Sequence, residues 1–330
     1  MRSISRYILP ASVSAFVIFL LGMMEFQMDE SMMAIDRFLK GYGWIQICLL
    51  ALYGGILAYK MQDAGKSAKW RKRSWLLFSI VFFSQFALGI IADERFLMTG
   101  NLHLPVPFMI AAGPIYRAQM TIMPILLLSS IVLTGPAWCS QYCYFGAWDQ
   151  VFASQKPGTI KQMRRPLKGK WVLKSTTLII VVVVAWAFRM LGFSGLQTLI
   201  PAIVFALIGI GIMIFVSRKR GKMAHCVAYC PIGTVVNLGK YISPFRMKIE
   251  SNCTKCQLCI PSCPYDALNL KDIEAGKPGP TCTLCGDCVT SCKDGAIQYR
   301  FFKLSPKAAR NLYLFLTIGI HVLCMGLARI

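Results

Sequence analysis

The chain has 330 residues, of which 56% are hydrophobic and only 15% are charged. Soluble domains carry less apolar and more charged sequence, so this composition excludes an ordinary soluble protein and predicts lipid-facing helices. The net charge of +22 would suit a nucleic-acid-binding protein. However, the lysines and arginines cluster in short loops beside apolar stretches, so we expect no nucleic-acid partner.

Apolar stretches recur along the chain at nearly the length of about 20 residues that a helix needs to cross a bilayer. Six of them are Tyr7–Met24, Trp44–Tyr59, Trp75–Ala92, Met120–Pro136, Trp171–Met190 and Gln197–Val216. A seventh, Asn311–Leu327, is shorter and is either a span or a helix lying in the membrane interface. The sequence therefore predicts an α-helical multi-pass membrane protein with six or seven transmembrane helices.

Basic residues mark one side of the membrane. Most of the 36 lysines and arginines fall at the amino terminus and in the segments 60–74, 156–174, 218–248 and 255–310. Positive charge favours the cytoplasmic side, so we expect a bacterial plasma (inner) membrane protein with these segments inside the cell.

A first internal repeat carries four cysteines. Trp138–Gly146 and His225–Gly233 align without a gap at an offset of 87 residues, each after a hydrophobic hairpin. Each copy holds a Cys-x3-Cys pair, which a helix would place on one face. The cysteines are Cys139, Cys143, Cys226 and Cys230. Three interpretations stay open: small buried residues, disulfides within each pair, or a shared third iron–sulfur cluster.

A second repeat carries eight cysteines in two runs at an offset of 29 residues. In this spacing three cysteines hold one iron–sulfur cluster and the fourth reaches the other cluster. We therefore predict two [4Fe–4S] clusters, one held by Cys253, Cys256, Cys259 and Cys292, the other by Cys282, Cys285, Cys288 and Cys263. Two structural zinc sites are the alternative, although these normally use separated Cys-x2-Cys pairs.

The segment Arg246–Tyr299 resembles the bacterial two-cluster ferredoxins, with Lys293 where their motif usually has proline. The resemblance implies an α+β ferredoxin domain inserted between membrane segments. We divide the chain into a transmembrane domain with the Cys-x3-Cys repeats (1–245), a cytoplasmic ferredoxin domain (246–305) and a C-terminal helix (306–330).

The combination of both repeats resembles the NapH and NosR type of membrane ferredoxin, a family that includes the oxidase-assembly protein CcoG. The similarity covers about Trp75–Tyr299, and Cys230-Pro231 matches the family motif, whereas Tyr144 replaces proline in the first copy. It implies quinol oxidation with electron delivery to a partner, or cofactor maturation. The chain has no room for the flavin-binding domain of the larger members, so flavin is not expected.

Histidines are few. His103, His225 and His321 fall at three different depths, so paired axial ligands, and hence haem, are not expected. His103 and Arg117 are candidates for binding a quinone headgroup, against the alternative of an ordinary loop.

We interpret the chain as an electron-transfer subunit, of quinol dehydrogenase type if it is an enzyme, that exchanges electrons between membrane quinone and a partner oxidoreductase. Its partners would be lipid, quinone and other subunits of a respiratory or redox complex. Two alternatives are a maturation or redox-regulatory factor that reduces a metal or disulfide in a partner, and a non-catalytic scaffold subunit.

Overall fold

A computed structural model describes residues 4–27, 33–96, 106–155, 163 and 165–327. The helices in chain order are α1 (Ile4–Gln27), α2 (Ala34–Phe38), α3 (Gly43–Gln62), α4 (Ala64–Ile91), α5 (Pro107–Arg117), α6 (Ile122–Thr134), α7 (Tyr144–Gln155), α8 (Lys170–Met190), α9 (Leu199–Ile212), α10 (Arg218–Arg220), α11 (Pro231–Gly239), α12 (Leu270–Glu274), α13 (Asp287–Ser291) and α14 (Pro306–Gly326). The strands are β1 (Phe245–Ile249) and β2 (Ile297–Phe301).

Seven helices of the described chain are long and apolar enough to cross a membrane. They are Arg6–Gln27, Gly43–Gln62, Ala64–Ile91, Met123–Tyr142, Lys170–Met190, Leu199–Arg220 and Pro306–Gly326. Their number agrees with the upper value expected from the sequence. The third is longer than predicted, because the basic run Lys69–Arg73 continues the helix instead of forming a loop.

The chain divides into two compact units, Met1–His103 with Leu304–Ile330, and Leu104–Lys303. The last helix thus groups with the first three long helices, whereas the ferredoxin segment groups with the Cys-x3-Cys repeats. The sequence boundaries after residues 245 and 305 stay predictions.

In the first unit, α1, α3 and α14 pack around an apolar core that includes Val13, Val17 and Val322. Small residues let these helices approach closely: a Cβ on Gly54 would lie 3.2 Å from both Val13 and Val322. The buried His321 ring lies 3.1 Å from the Tyr53 hydroxyl, a hydrogen bond that favours a packing role for this histidine.

In the second unit, each Cys-x3-Cys pair has its own single π-helical turn, and each turn is followed by a short helix. Trp138–Tyr142 precedes α7, and His225–Tyr229 precedes α11. The bonds that define the turns are equivalent, since Cys143 N–H donates to Trp138 O at 3.0 Å and Cys230 N–H donates to His225 O at 2.9 Å. Single π turns are uncommon in helices and frequent at functional sites. The sequence repeat is therefore also a repeat of backbone conformation.

The ferredoxin segment contains a two-stranded antiparallel sheet. Strands β1 and β2 pair with Phe245 opposite Phe301 and Ile249 opposite Ile297. The cysteine-rich loops and the short helices α12 and α13 lie between the two strands in the chain. The paired strands thus hold together the two ends of the segment that contains both cysteine runs.

Candidate iron–sulfur sites

The two cysteine loops of the ferredoxin segment share an unusual backbone conformation. Lys255 and Gln257 have positive φ values of 56° and 61°, and the residues 29 positions later, Leu284 and Gly286, have values of 57° and 79°. Three of these four residues are not glycine, so the conformation carries a steric cost. Left-handed residues in loops direct successive N–H groups into a concave, anion-binding nest of the kind found at iron–sulfur sites. The loops therefore fit a cluster.

One group of four thiols lines a small cavity. Cys282, Cys285 and Cys288 of the second run line it together with Cys263 of the first run. Burial raises the pKa of Cys288, and the nearby Cys285, Cys263 and Cys282 raise it further. We call these four cysteines the inner set. Thiols held in this way must lose their protons on binding iron, so metal binding and deprotonation are coupled.

The other four thiols form an equivalent group, which we call the outer set. Burial raises the pKa of Cys259 to about 11, and nearby thiols add to that increase. These thiols are Cys292, Cys253 and Cys256. The structure thus brings one cysteine of each run together with three of the other, the arrangement that suits two four-iron clusters.

The two sets differ in exposure. Cys263 and Cys288 of the inner set are buried, whereas Cys256 of the outer set is exposed. A cluster in the outer set would therefore have an edge open to solvent, whereas one in the inner set would be shielded from water.

The structure also brings together the four thiols of the two π turns, which we call the four-thiol site. Burial raises the pKa of Cys226, as do neighbouring acidic and thiol groups. These groups are Asp149, Cys230, Cys143 and Cys139. None of these four cysteines is joined in a disulfide in the described part of the chain, and three of them are buried. The two copies of the repeat, which are 87 residues apart in the chain, therefore bring their cysteines together in space.

Direct hydrogen bonds connect the four-thiol site to the inner set. The Tyr265 hydroxyl, two residues after Cys263, donates to Cys139 O at 2.6 Å. The Ser140 hydroxyl donates to the carbonyl oxygen of Thr283, the neighbour of Cys282, at 3.3 Å. Both contacts are buried, so the first π turn lies directly against the loops that carry the inner set.

A buried ion network ties the second π turn to the same loop. Asp266 accepts hydrogen bonds from Lys222 Nζ, from Lys170 Nζ at 2.9 Å and from Leu167 N–H at 2.8 Å. Met223, which follows Lys222 in the chain, donates its N–H to Pro264 O at 2.9 Å. Asp266 and Lys222 side chains are each 2% exposed. These contacts fix the loop after Cys263 against the start of the second turn.

The roles of His103 and Arg117 in quinone binding stay predictions. His103 lies outside the described residues. Arg117 is the exposed last residue of α5. His225 lies beside the four-thiol site among Phe145, Phe205 and Tyr229, and burial lowers its pKa to about 3, so its ring is neutral.

Sequence reasoning missed several buried charged residues near the thiols. Lys174, in the first turns of α8, interacts electrostatically with Cys139, Cys230 and Cys226 and is only 1% exposed. It was counted among the basic residues that orient the chain, although an ionisable residue inside an apolar helix is itself a signal of function. Asp149 lay in a helix with no motif, so no sequence signal marked it.

Comparison with known proteins agrees with the ferredoxin segment. Residues 252–297 match the 4Fe-4S dicluster domain family. An uncharacterized protein of Methanocaldococcus jannaschii is 26% identical over 212 residues, which cover 59% of this chain and 81% of that protein. No solved structure matches the chain.

The chain is therefore a helical protein with a ferredoxin-type 4Fe-4S dicluster domain, and its described residues contain seven candidate membrane spans. Its many cysteines and this domain support iron–sulfur clusters, and its apolar helices are compatible with a multi-pass membrane protein. Together these features indicate a membrane iron–sulfur electron-transfer protein.

Proposed function

We propose that the protein transfers electrons between quinone in the membrane and a partner oxidoreductase, through two [4Fe–4S] clusters held by the outer and inner sets. The observation that carries the proposal is the sorting of eight ferredoxin cysteines into two groups, each completed by one cysteine from the other run. Bound clusters would supply one-electron storage. The protein would supply the thiolates, the nests of N–H groups and the exclusion of water.

The difference in exposure supports a path from the membrane side toward a partner. The inner set is held against the Cys-x3-Cys turns by Tyr265, whereas Cys256 of the outer set is exposed. Lys255 and Lys293, which flank the outer set, are also exposed. Exposed positive charge beside a redox centre favours a partner with an acidic surface, because complementary charge speeds encounter.

A cleft of about 370 Å³ supports quinone binding beside the inner set. Its lining includes Pro136 after α6, Lys240 after α11, and Cys282. The Lys240 ammonium donates to Pro280 O at 2.7 Å and lies at the wall of the cleft, where it could also donate to a quinone carbonyl. Pockets of this volume accommodate small cofactors. We therefore propose this cleft, rather than His103 and Arg117, as the quinone site.

Apolar residues around the cleft support access from the membrane. Leu238, Tyr241 and Ile242 expose 64%, 63% and 71% of their surface. They lie at or just after the end of α11, and Tyr241 also lines the cleft. A Cβ on the neighbouring Gly239 would lie 2.9 Å from Ile131 of the candidate span Met123–Tyr142. An apolar rim at that level would let an isoprenoid tail remain in lipid while its headgroup enters the cleft.

The test uses the full chain in lipid nanodiscs under anaerobic conditions. Chemically reduced protein is mixed with a soluble quinone, and the electron paramagnetic resonance signals of the clusters are followed. Two reduced clusters together should convert one quinone and two protons into one quinol. Signals that persist with quinone but disappear with a metal salt would contradict the proposal and favour a metal-reducing maturation factor.

A further inference from the structure

We infer that the four-thiol site binds a third iron–sulfur cluster, which lies outside the ferredoxin segment and adds a metal centre to the function proposed above. Its ligands would be the four cysteines of the two π turns, Cys139, Cys143, Cys226 and Cys230. The inference depends on their convergence, on the donors that surround their sulfur atoms and on buried polar groups that have no partner.

The second cysteine of each pair lies where a helix begins. Cys143 immediately precedes α7, and its sulfur accepts the N–H of Gly146 at 3.4 Å. Cys230 immediately precedes α11, and its sulfur accepts backbone N–H groups of Gly233 and Ile232. Backbone N–H donors around a sulfur atom suit a ligand that becomes negatively charged when it binds a metal. The two copies thus present two equivalent sulfur positions, each facing backbone donors, to the same site.

Buried polar groups near the four-thiol site lack hydrogen-bond partners. They include both ring nitrogens of His225, Nε1 of Trp138 and Oδ1 of Asp149, and none of these residues is more than 4% exposed. Trp138 and His225 each directly precede the first cysteine of a pair, and the Asp149 carboxylate accepts the N–H of Cys226 at 3.0 Å. Buried polar groups in proteins almost always have partners. The N–H donors of Trp138 and His225 suit an acceptor such as the sulfur of a cluster, whereas the Asp149 oxygen is itself an acceptor and gives no support for an anionic group.

A buried positive charge favours an anionic occupant. Lys174 is 1% exposed, and its ammonium lies 5.3 Å from the centroid of the Trp171 ring. The charged or ionisable groups that interact with it are Cys139, Cys230, Cys226 and Lys170, and none of them is a carboxylate. An isolated buried ammonium is costly, so a lysine at this position needs a nearby negative charge. Four thiolates around iron and sulfide carry net negative charge, and Lys174 would offset part of it.

A single zinc ion held by the same four cysteines is the competing occupant, because both zinc and iron–sulfur clusters bind thiolates. Metal analysis separates the two, since zinc would add neither iron nor acid-labile sulfide.

Hydrogen bonds place the four-thiol site beside the inner set, so a cluster in the four-thiol site would have a neighbouring redox centre. Tyr265 and Ser140 join the first π turn to residues beside Cys263 and Cys282 of the inner set. A third cluster would therefore exchange single electrons with a cluster in the inner set, one centre being oxidised as the other is reduced.

The test is iron and acid-labile sulfide per chain in anaerobically purified full-length protein, together with Mössbauer and electron paramagnetic resonance spectra. Two four-iron clusters account for about eight iron atoms, and a third cluster would add about two to four. The double variant Cys143→Ser/Cys230→Ser should lose that additional iron and one spectral component while keeping both ferredoxin components. The matched control Cys48→Ser/Cys324→Ser changes two cysteines outside all three groups and should lose none.

A second variant keeps the inference testable if the double variant does not fold. Lys174→Met should shift the reduction potential of the third component to lower values, because removal of a positive charge disfavours the reduced cluster, and should leave the ferredoxin potentials nearly unchanged. About eight iron atoms in the wild type, zinc in place of the additional iron, or a disulfide within either Cys-x3-Cys pair would overturn the inference.

Discussion

The ion network around Asp266 gives a quantitative prediction for the attachment of the ferredoxin loop. Asp266→Asn keeps the shape of the side chain but removes its charge. Lys222, whose side chain is 2% exposed, would then remain buried without its ion-pair partner. Removing one partner of a buried pair costs about 3–5 kcal/mol, mainly because the remaining charge is not solvated.

The lower end of this range applies here. Lys170, the other partner, is 17% exposed and can turn toward water when the carboxylate is lost. A cost of about 3 kcal/mol confined to this loop corresponds to a roughly 100-fold larger population of the locally open state. Hydrogen exchange measured by mass spectrometry should detect it in the peptide containing Met223, whose N–H bonds to Pro264 O in the wild type.

The matched control is Glu250→Gln, also an acid-to-amide change in the ferredoxin segment. Glu250 pairs with Arg300 and Lys248 at the surface, where ion pairs contribute little. We expect no measurable change in exchange at Met223 in this variant. Equal exchange in Asp266→Asn and in the wild type would refute the argument that the buried network holds the loop after Cys263.

Three further predictions concern the clusters, the topology and the quinone site. Cys292→Ser should perturb the cluster of the outer set and leave the inner one intact, as judged by electron paramagnetic resonance; loss of only the inner signal would disprove the predicted ligand sets. A reporter fused after Lys303 should read cytoplasmic, because most basic residues lie on that side; an external reading would reverse the topology. Lys240→Met should slow cluster oxidation by quinone several-fold while leaving dithionite reduction unchanged, whereas the exposed Lys248→Met should have no effect.

Local sequence patterns predicted those features that depend on spacing or composition. Hydropathy predicted six or seven transmembrane helices, and the described residues contain seven helices long and apolar enough to span. The grouping of the ferredoxin thiols also follows from spacing, because the fourth cysteine of each run lies too far along the chain to join its own three. The structure brings the same thiols together, and their role as ligands stays a prediction.

The features that sequence reasoning missed depend on contacts between distant segments. Asp266 lies 44 residues from Lys222 and 96 from Lys170 along the chain. Each of these residues alone resembles an ordinary surface charge, and only the fold shows that they share one buried site. The same applies to Tyr265, whose hydroxyl binds a carbonyl oxygen 126 residues away. No periodicity or motif carries this information.

The arrangement of the three thiol groups would set the order of the redox centres along an electron path through the second unit. The four-thiol site and the inner set share buried hydrogen bonds through Tyr265 and Ser140, whereas the outer set includes the exposed Cys256. If all three groups hold clusters, electrons from the membrane side would meet the most buried centres first and leave from the most exposed one. A soluble partner would then contact only the outer set, and a quinone only the cleft beside Cys282. Variants at the two ends should therefore impair different half-reactions, because neither end contributes residues to the other.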